Sequence, residues 1–440
     1  MKRKPFTMYI LLVALTLLVS ACGSGNNESA GSGSPASAPA VSPSESAPAG
    51  ETPAAPTERK KVRVMSWWDF TTSEPLKQLK AKFEELNPDL ELEYMQIGTG
   101  YADKVLTMIA GGGDLPEVMM LAMDKVPVFA DKGAILELDS YIKEENKSGL
   151  YPVVSEALSF NGKTYAVPRD ITSKVMYLNK KMFDDAGVAY PEDTWTWDDF
   201  RSIAAQLTKD GQWGFYFPKY GDGYTHWLMQ NNGGYATNDG QSLLGKPESI
   251  EALKFLHDMI HVDKSVPTES QAQQFGNADT APFIAGKVAM VAGGLSYSTT
   301  FATNNVEYVV RPLPQGKTKL STSFVNAWVI PKGVKDPDLS WRALEFFSGK
   351  DAQQIALDTG MGLPATQDVD TGTFLTAHPD NRVFLEALGY SVPFPTPIYG
   401  ADFNAEVTKQ FDLMWLGDKT VEEAVAEVEK VAPNLLSGKK

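Results

Sequence analysis

From Val62 onward, short apolar runs that read as strands alternate with segments whose apolar residues recur at helical spacing, and this rhythm constrains the chain more than any other feature. Val62 to Met65 is the first run. Pro75 to Leu86 follows with Leu76, Leu79, Phe83 and Leu86 on one face, ended by Asn87-Pro88. Leu90, Leu92 and Tyr94 then alternate as a strand. Tyr101, Val105, Met108 and Ile109 mark a helix that Gly111-Gly112-Gly113 breaks, Val118 to Leu121 reads as a buried strand, and a helix runs from Val126 to Gly133. Such alternation predicts a mainly parallel sheet wrapped by helices.

The pattern continues to the end of the chain. Asn161-Gly162 between short strands is a hairpin signal. Further strands are expected at Val175 to Leu178, Trp213 to Phe217, Val288 to Ala292, Tyr308 to Arg311 and Val325 to Ile330, and helices at Ser249 to Val262, Leu339 to Phe347 and Phe403 to Trp415. Capping-box spacings open helices at Thr196 and Thr420. A chain of 440 residues exceeds what one core organises, so two α/β lobes are expected.

The N-terminus carries different information. Lys2, Arg3 and Lys4 precede an uncharged apolar run from Met8 to Val19, and Val19-Ser20-Ala21 places small residues before Cys22, the pattern of a secretory signal over residues 1–21. Residues 22–59 are mostly Gly, Ser, Pro and Ala, with no aromatic residue, and cannot bury enough apolar surface to fold. Cys22 is the sole cysteine, which excludes a disulfide framework and a multi-cysteine metal site. The formal charge of -15 argues against a nucleic-acid partner, and losing three N-terminal cations takes it to -18.

Catalytic motifs are weak. His257 and His261 share a helix face as zinc ligands do, yet Asp258 stands where a Glu would position water, and no downstream ligand follows. Gly98-Thr99-Gly100 lacks the third glycine of a dinucleotide loop, and Asp368 to Gly372 lacks the twelfth-position Glu of a calcium loop. No Gly-x-Ser-x-Gly elbow occurs. The reading is a non-enzyme with no cofactor and no metal. Aromatic residues instead sit beside charged ones: Trp67-Trp68-Asp69, Arg169-Asp170, and Asp222 and Tyr224 with Trp227. Rings that cover the C–H face of a sugar, beside groups that bond its hydroxyls, make a carbohydrate pocket.

Several stretches, in order, carry a resemblance. They are Gly113-Asp114-Leu115-Pro116-Glu117-Val118, Tyr165-Ala166-Val167-Pro168, Tyr177 to Phe183, Asp193-Thr194-Trp195-Thr196-Trp197, Ala285 to Met290 and Gly362-Leu363-Pro364. With Val19-Ser20-Ala21-Cys22, which looks like a lipobox, the chain resembles the extracellular solute-binding lipoproteins of carbohydrate-uptake ABC importers, the group that contains maltose-binding proteins.

The resemblance implies a two-lobe periplasmic-binding-protein-like fold (class II), with an N-terminal lobe over 60–168 and 326–372 and a C-terminal lobe over 169–325 and 373–440. It implies an acylated Cys22 at the outer face of the cell membrane, a monomer that delivers sugar to permease subunits, and closure of the lobes on the ligand. Matched position by position, it puts Trp67, Trp68, Asp69, Asp124, Arg169 and Asp170 at the ligand. From the second lobe it adds Asp222, Tyr224, Trp227, Gly294, Tyr297, Tyr399, Asp402 and Asn404. Leu295 and Asn404 stand where maltose-binding proteins carry aromatic rings, which counts against maltose itself. The same fold binding a peptide or polyamine, and a surface glycan-degrading lipoprotein, stand as alternatives.

Overall fold

Twelve strands are present in a computed structural model that describes residues 59–68, 73–143, 147–276 and 278–438. They are β1 (Lys60–Ser66), β2 (Leu90–Gln96), β3 (Val118–Ala122), β4 (Ser159–Phe160), β5 (Lys163–Thr164) and β6 (Val167–Ser173). β7 (Val175–Asn179), β8 (Trp213–Tyr216), β9 (Val288–Gly293), β10 (Tyr308–Arg311), β11 (Ser321–Val329) and β12 (Ser391–Pro393) follow. The proposed signal, Cys22, the tether up to residue 58 and Asp69 lie outside the described residues.

The strands form two principal sheets. The first has the order β12-β11-β3-β1-β2, with β6 also paired to β11; the second has the order β10-β7-β9-β8. β4 and β5 form the hairpin expected at Asn161-Gly162, both of which take positive φ as a two-residue turn requires. The sheets are mixed, not mainly parallel. β1 runs parallel to β2 and β3, but β11 is antiparallel to β3 and β6, and β7 is antiparallel to β9 and β10. The reason is topological: the chain leaves the first sheet along β6 and comes back along β11, and outgoing and returning strands that pair must be antiparallel. The first passage falls at Lys174, between β6 and β7, and the return falls between Arg311 and Ser321.

The helices form for the reasons the sequence displays. Glu74–Leu86 starts with Pro75 in its first turn and buries Leu76, Leu79 and Phe83. Both capping boxes are made, Thr196 with Asp199 and Thr420 with Glu423.

One apolar core, with Val62, Val64, Phe83, Leu92 and Trp328, lies on one face of the first sheet. A second, with Leu178, Phe200, Phe215, Trp227 and Met290, is closed by Phe403, Val407 and Phe411 of the helix Gly400–Leu416. A third contains residues of both sheets, among them Met65, Ile171 and Val325 beside Tyr177 and Val291. Each fully buried large side chain stabilises the fold by about 1.5 to 3 kcal/mol, so the two sheets share much of their stability through this third cluster.

Candidate functional site

The crossing strands end in polar residues. Thr172 and Ser173 close β6, Lys174 follows, and Thr322 and Ser323 open β11 opposite them. These five residues line a cavity of about 300 Å³. Phe324 and Phe394 line another part of it, and the remaining wall comes from the second sheet and its helices.

That wall is built around glycine. At the end of β9 a Cβ on Gly293 would lie 2.2 Å from the Tyr297 ring, so only glycine lets the ring rest on the strand end. Tyr177 donates its hydroxyl to the Gly294 carbonyl at 2.8 Å and shares a hydrogen bond with Ser298 at 2.9 Å, which fixes the strand-to-helix turn from beneath. Burial pushes the Tyr297 phenol above its ordinary range, so it faces the cavity as a neutral donor.

One ion pair lines the cavity. Lys174 is nearly buried; its ammonium lies 2.8 Å from Asp222 Oδ1 and donates to the Asp222 carbonyl oxygen at 2.5 Å. Asp222 opens the helix Gly221–Gln230, where a carboxylate is favoured by the helix dipole, and its side chain is 55% exposed. The pair neutralises itself while leaving carboxylate lone pairs toward solvent. The cavity therefore offers hydroxyls, aromatic faces and a compensated charge, a set suited to a neutral, hydroxyl-rich solute.

A second cavity, of about 550 Å³, borders the turn before Asp222 and is lined by Tyr216, Lys219 and Tyr220 with Glu269, Asp279 and Asp412. The Tyr220 hydroxyl donates to Asp279. Lys219 makes no ion pair among the described residues; its ammonium lies 3.5 Å from the centre of the Phe217 ring, and burial pulls its pKa down to about 7.

Of the residues expected at a ligand, Asp222, Gly294 and Tyr297 meet at the first cavity. Tyr224 and Trp227 do not. Both are core residues: Trp227 is 0% exposed, with ring centroids 5.1 Å from Phe200 and 5.2 Å from Trp197, and Tyr224 packs on Phe411 and Trp415. The helix is buried almost all round from Gly223 to Leu228, and their rings are packed on other core rings, which leaves no ring face open to a sugar in this structure.

Arg169 and Asp170 are also buried, and they ion-pair with each other. Asn326 donates to Asp170 Oδ1 at 2.9 Å, and burial pushes the Asp170 carboxyl up against the pull of the Arg169 charge. The Arg169 guanidinium lies over the Trp68 ring at 3.9 Å, so that face of Trp68 is taken. Trp67 sets its ring against Tyr101, edge to face, at 5.3 Å. Asp124 pairs with Lys125 at 2.7 Å.

Tyr399 and Asp402 stand at the exposed start of Gly400–Leu416, and Asn404 accepts from the Tyr235 hydroxyl at 2.8 Å. None of these residues borders the first cavity. Sequence reasoning passed over Thr172, Ser173, Lys174, Ser296, Thr322, Ser323, Phe324 and Phe394; Thr172 was reachable by stepping two residues along the strand from Asp170.

Two mixed sheets joined by crossing strands, with a polar cavity where they cross, define a two-lobe receptor of the periplasmic-binding-protein type. The family model for the bacterial extracellular solute-binding proteins matches residues 78–383, and the chain belongs to that family. It is similar to the maltodextrin-binding protein MdxE of Bacillus subtilis (strain 168), at 24% identity over 69% of this chain and 72% of that one. Among solved structures it is similar to the ABC substrate-binding protein Lmo0181 of Listeria monocytogenes, in complex with cycloalternan, with a TM-score of 0.76 and 26% identity over 87% of this chain and all of that one. The sugar-binding protein MalE of Xanthomonas citri shares the fold, with a TM-score of 0.76 at 19% identity over 86% of this chain and 98% of that one.

Proposed function

We propose that this protein is a carbohydrate receptor, anchored to the outer face of the cell membrane through acylated Cys22, that hands an oligosaccharide to the permease of an ABC importer and performs no chemistry on it. The observation that carries the reading is the makeup of the first cavity: Thr172, Thr322, Ser296 and Tyr297 supply hydroxyls, Phe394 supplies a ring face, and Lys174 and Asp222 cancel in charge. A peptide terminus or a polyamine would leave that ion pair to compete with its own charges. The likeness to a maltodextrin-binding protein and to a receptor solved with cycloalternan supports the same class of ligand.

In this reading the lobes exchange at Lys174 and between Arg311 and Ser321, later and earlier in the chain than the bounds 168 and 326 expected from the resemblance, because β6 and β11 belong whole to the first sheet; they move about the crossing strands, and sugar favours closure by touching both. The monomer works at the end of its tether, and its acidic body is held off an anionic lipid surface.

A thermal-shift screen of the Cys22→Ser protein over mono- and oligosaccharides, with short peptides and polyamines beside them, tests it, since a ligand at 100 times its Kd stabilises by about 2.7 kcal/mol. A shift with one sugar class, with that sugar recovered unchanged, is the expected result. Shifts confined to peptides or polyamines, or the appearance of shortened sugar products, would overturn it.

A further inference from the structure

Lys174 and Lys219 are almost equally hidden, 9% and 8% exposed, yet they keep different company. The Lys174 ammonium has the Asp222 carboxylate at 2.8 Å. Lys219 makes no ion pair among the described residues; its Nζ donates to the Phe217 carbonyl at 3.0 Å and lies over the Phe217 ring. One carbonyl oxygen and a ring face replace the hydration of an ammonium only in part, whereas they leave a neutral amine with its lone pair free. Burial accordingly brings the Lys219 pKa down to about 7.

The fold holds this amine in place. Phe217 to Tyr220 form the turn between β8 and the helix Gly221–Gln230, and the Tyr220 carbonyl accepts from the Gly223 N–H at 2.8 Å. A Cβ on Gly223 would lie 1.9 Å from the Pro218 carbonyl oxygen, so glycine there lets the turn lie against its own helix. Lys219 is thereby kept on the Phe217 ring while it borders the cavity of about 550 Å³.

The other walls of that cavity supply what an amine needs to capture a carbonyl compound. Glu269 is near enough to act on the Lys219 charge, and its Oε2 is buried with no hydrogen-bond partner among the described residues. Gln273 donates to the other carboxylate oxygen, Oε1, at 3.2 Å. A carboxyl group so placed can carry the protons that imine formation moves. Tyr220 and Trp415 bring rings to the wall, and Asp279, Thr408 and Asp412 bring oxygens that accept from hydroxyls. Three carboxylates around the amine disfavour an anionic ligand, or an anionic adduct such as a carbamate.

We propose that Lys219 and Glu269 form a covalent capture site for a neutral hydroxyaldehyde, the open-chain form of an aldose included. The Lys219 lone pair adds to the carbonyl carbon, making the N–C bond of a carbinolamine. Glu269 passes the two amine protons to the former carbonyl oxygen, the C–O bond breaks, and that oxygen leaves as water. A neutral imine remains. No oxidant or reductant is consumed, and water reverses the step, so the ligand departs unchanged. The capture site is separate from the first cavity and does not depend on what that cavity binds.

The test incubates the full chain carrying Cys22→Ser with glyceraldehyde beside sodium cyanoborohydride, which reduces each imine to a stable amine, and follows every lysine by peptide mass spectrometry. At about pH 7.4 roughly one exposed lysine in a thousand is unprotonated. Lys219 should therefore label at least about tenfold faster than the exposed Lys132 and Lys264, and ion-paired Lys174 should label more slowly than any of them. Unfolding in urea should abolish the contrast, because the cavity and not the local sequence creates it. Glu269→Gln separates proton transfer from charge. Loss of a nearby carboxylate lowers the lysine pKa and by itself would speed labelling, whereas loss of the proton carrier should slow labelling at Lys219 by about tenfold and leave Lys132 unchanged. The proposal is overturned by a Lys219 rate at or below that of the exposed lysines, by a Lys174 rate equal to it, by a contrast that survives in urea, or by an undiminished Lys219 rate in Glu269→Gln.

Discussion

Lys174 and Asp222 form an ion pair at 2.8 Å in which the ammonium is nearly buried and the carboxylate is half exposed. The asymmetry matters for function. The lysine gives up its hydration to the protein, whereas the carboxylate keeps lone pairs free for a hydroxyl.

Asp222→Asn should therefore weaken sugar binding by about 10- to 100-fold, the range for a lost hydrogen bond to a charged group of about 1.5 to 3 kcal/mol. The melting temperature should change little, because the asparagine carbonyl still accepts from Lys174. Titration calorimetry with the best sugar of the panel measures the first effect and differential scanning calorimetry the second. An unchanged Kd would remove Asp222 from the binding site.

Trp227 and Tyr224 should behave in the opposite way. Trp227 packs among Trp197, Phe200, Phe215 and Phe255. Trp227→Ala should cost about 3 to 5 kcal/mol of stability, as large-to-small changes in a packed core do. Urea unfolding reads this directly. Where the variant is folded, sugar affinity should stay within about threefold of the parent, a free-energy difference of roughly 0.6 kcal/mol.

Lys219 makes stability depend on pH in a window that can be stated. Its pKa falls from 10.5 to about 7 through burial, so between those values the unfolded chain binds a proton that the folded protein does not. Stability then rises with pH across the window, and the contribution is lost as pH falls from about 10 toward 7. Lys219→Met, which keeps the apolar stem and removes the titration, should be more stable than the parent near pH 7 by a few kcal/mol, and the gap should narrow toward pH 10. Urea midpoints of both proteins at pH 7, 8.5 and 9.5 check this; a constant gap would show that Lys219 is charged in the fold throughout.

How far the sequence reveals the molecule depends on how local each cause is. Apolar spacing, the capping boxes at Thr196 and Thr420 and the Asn161-Gly162 turn are set within a few residues, and each is found where the sequence places it. The direction of β11 is not local, because it follows from a chain that leaves along β6 and returns after Arg311. Tyr224 and Trp227 look like a sugar platform beside Asp222, yet they lie on a helix that is buried on every side from Gly223 to Leu228, which only the surrounding core decides. Arg169 and Asp170 look like ligand groups because the burial that pairs them with each other depends on packing of β6 against Asn326 and its neighbours on β11, far away in the sequence. Gly294 and Tyr297 came from the resemblance to the solute-binding proteins, and the structure adds the physical reason, a glycine at the strand end that leaves room for a ring.

That room supplies the last prediction. A Cβ at Gly293 would lie 2.2 to 2.8 Å from three atoms of the Tyr297 ring, too close for any real contact. The backbone there needs no special conformation, since Gly293 is not among the glycines with positive φ. Gly293→Ala should thus act through the ring alone and push Tyr297 off the strand end into the cavity. Sugar affinity should fall by about tenfold or more, with a stability loss of about 1 to 3 kcal/mol from overpacking. Adding Tyr297→Ala to the variant should recover most of the stability and none of the affinity. Calorimetry on the two single variants and the double one checks both halves, and a double variant that binds as well as the parent would show that Tyr297 does not touch the sugar.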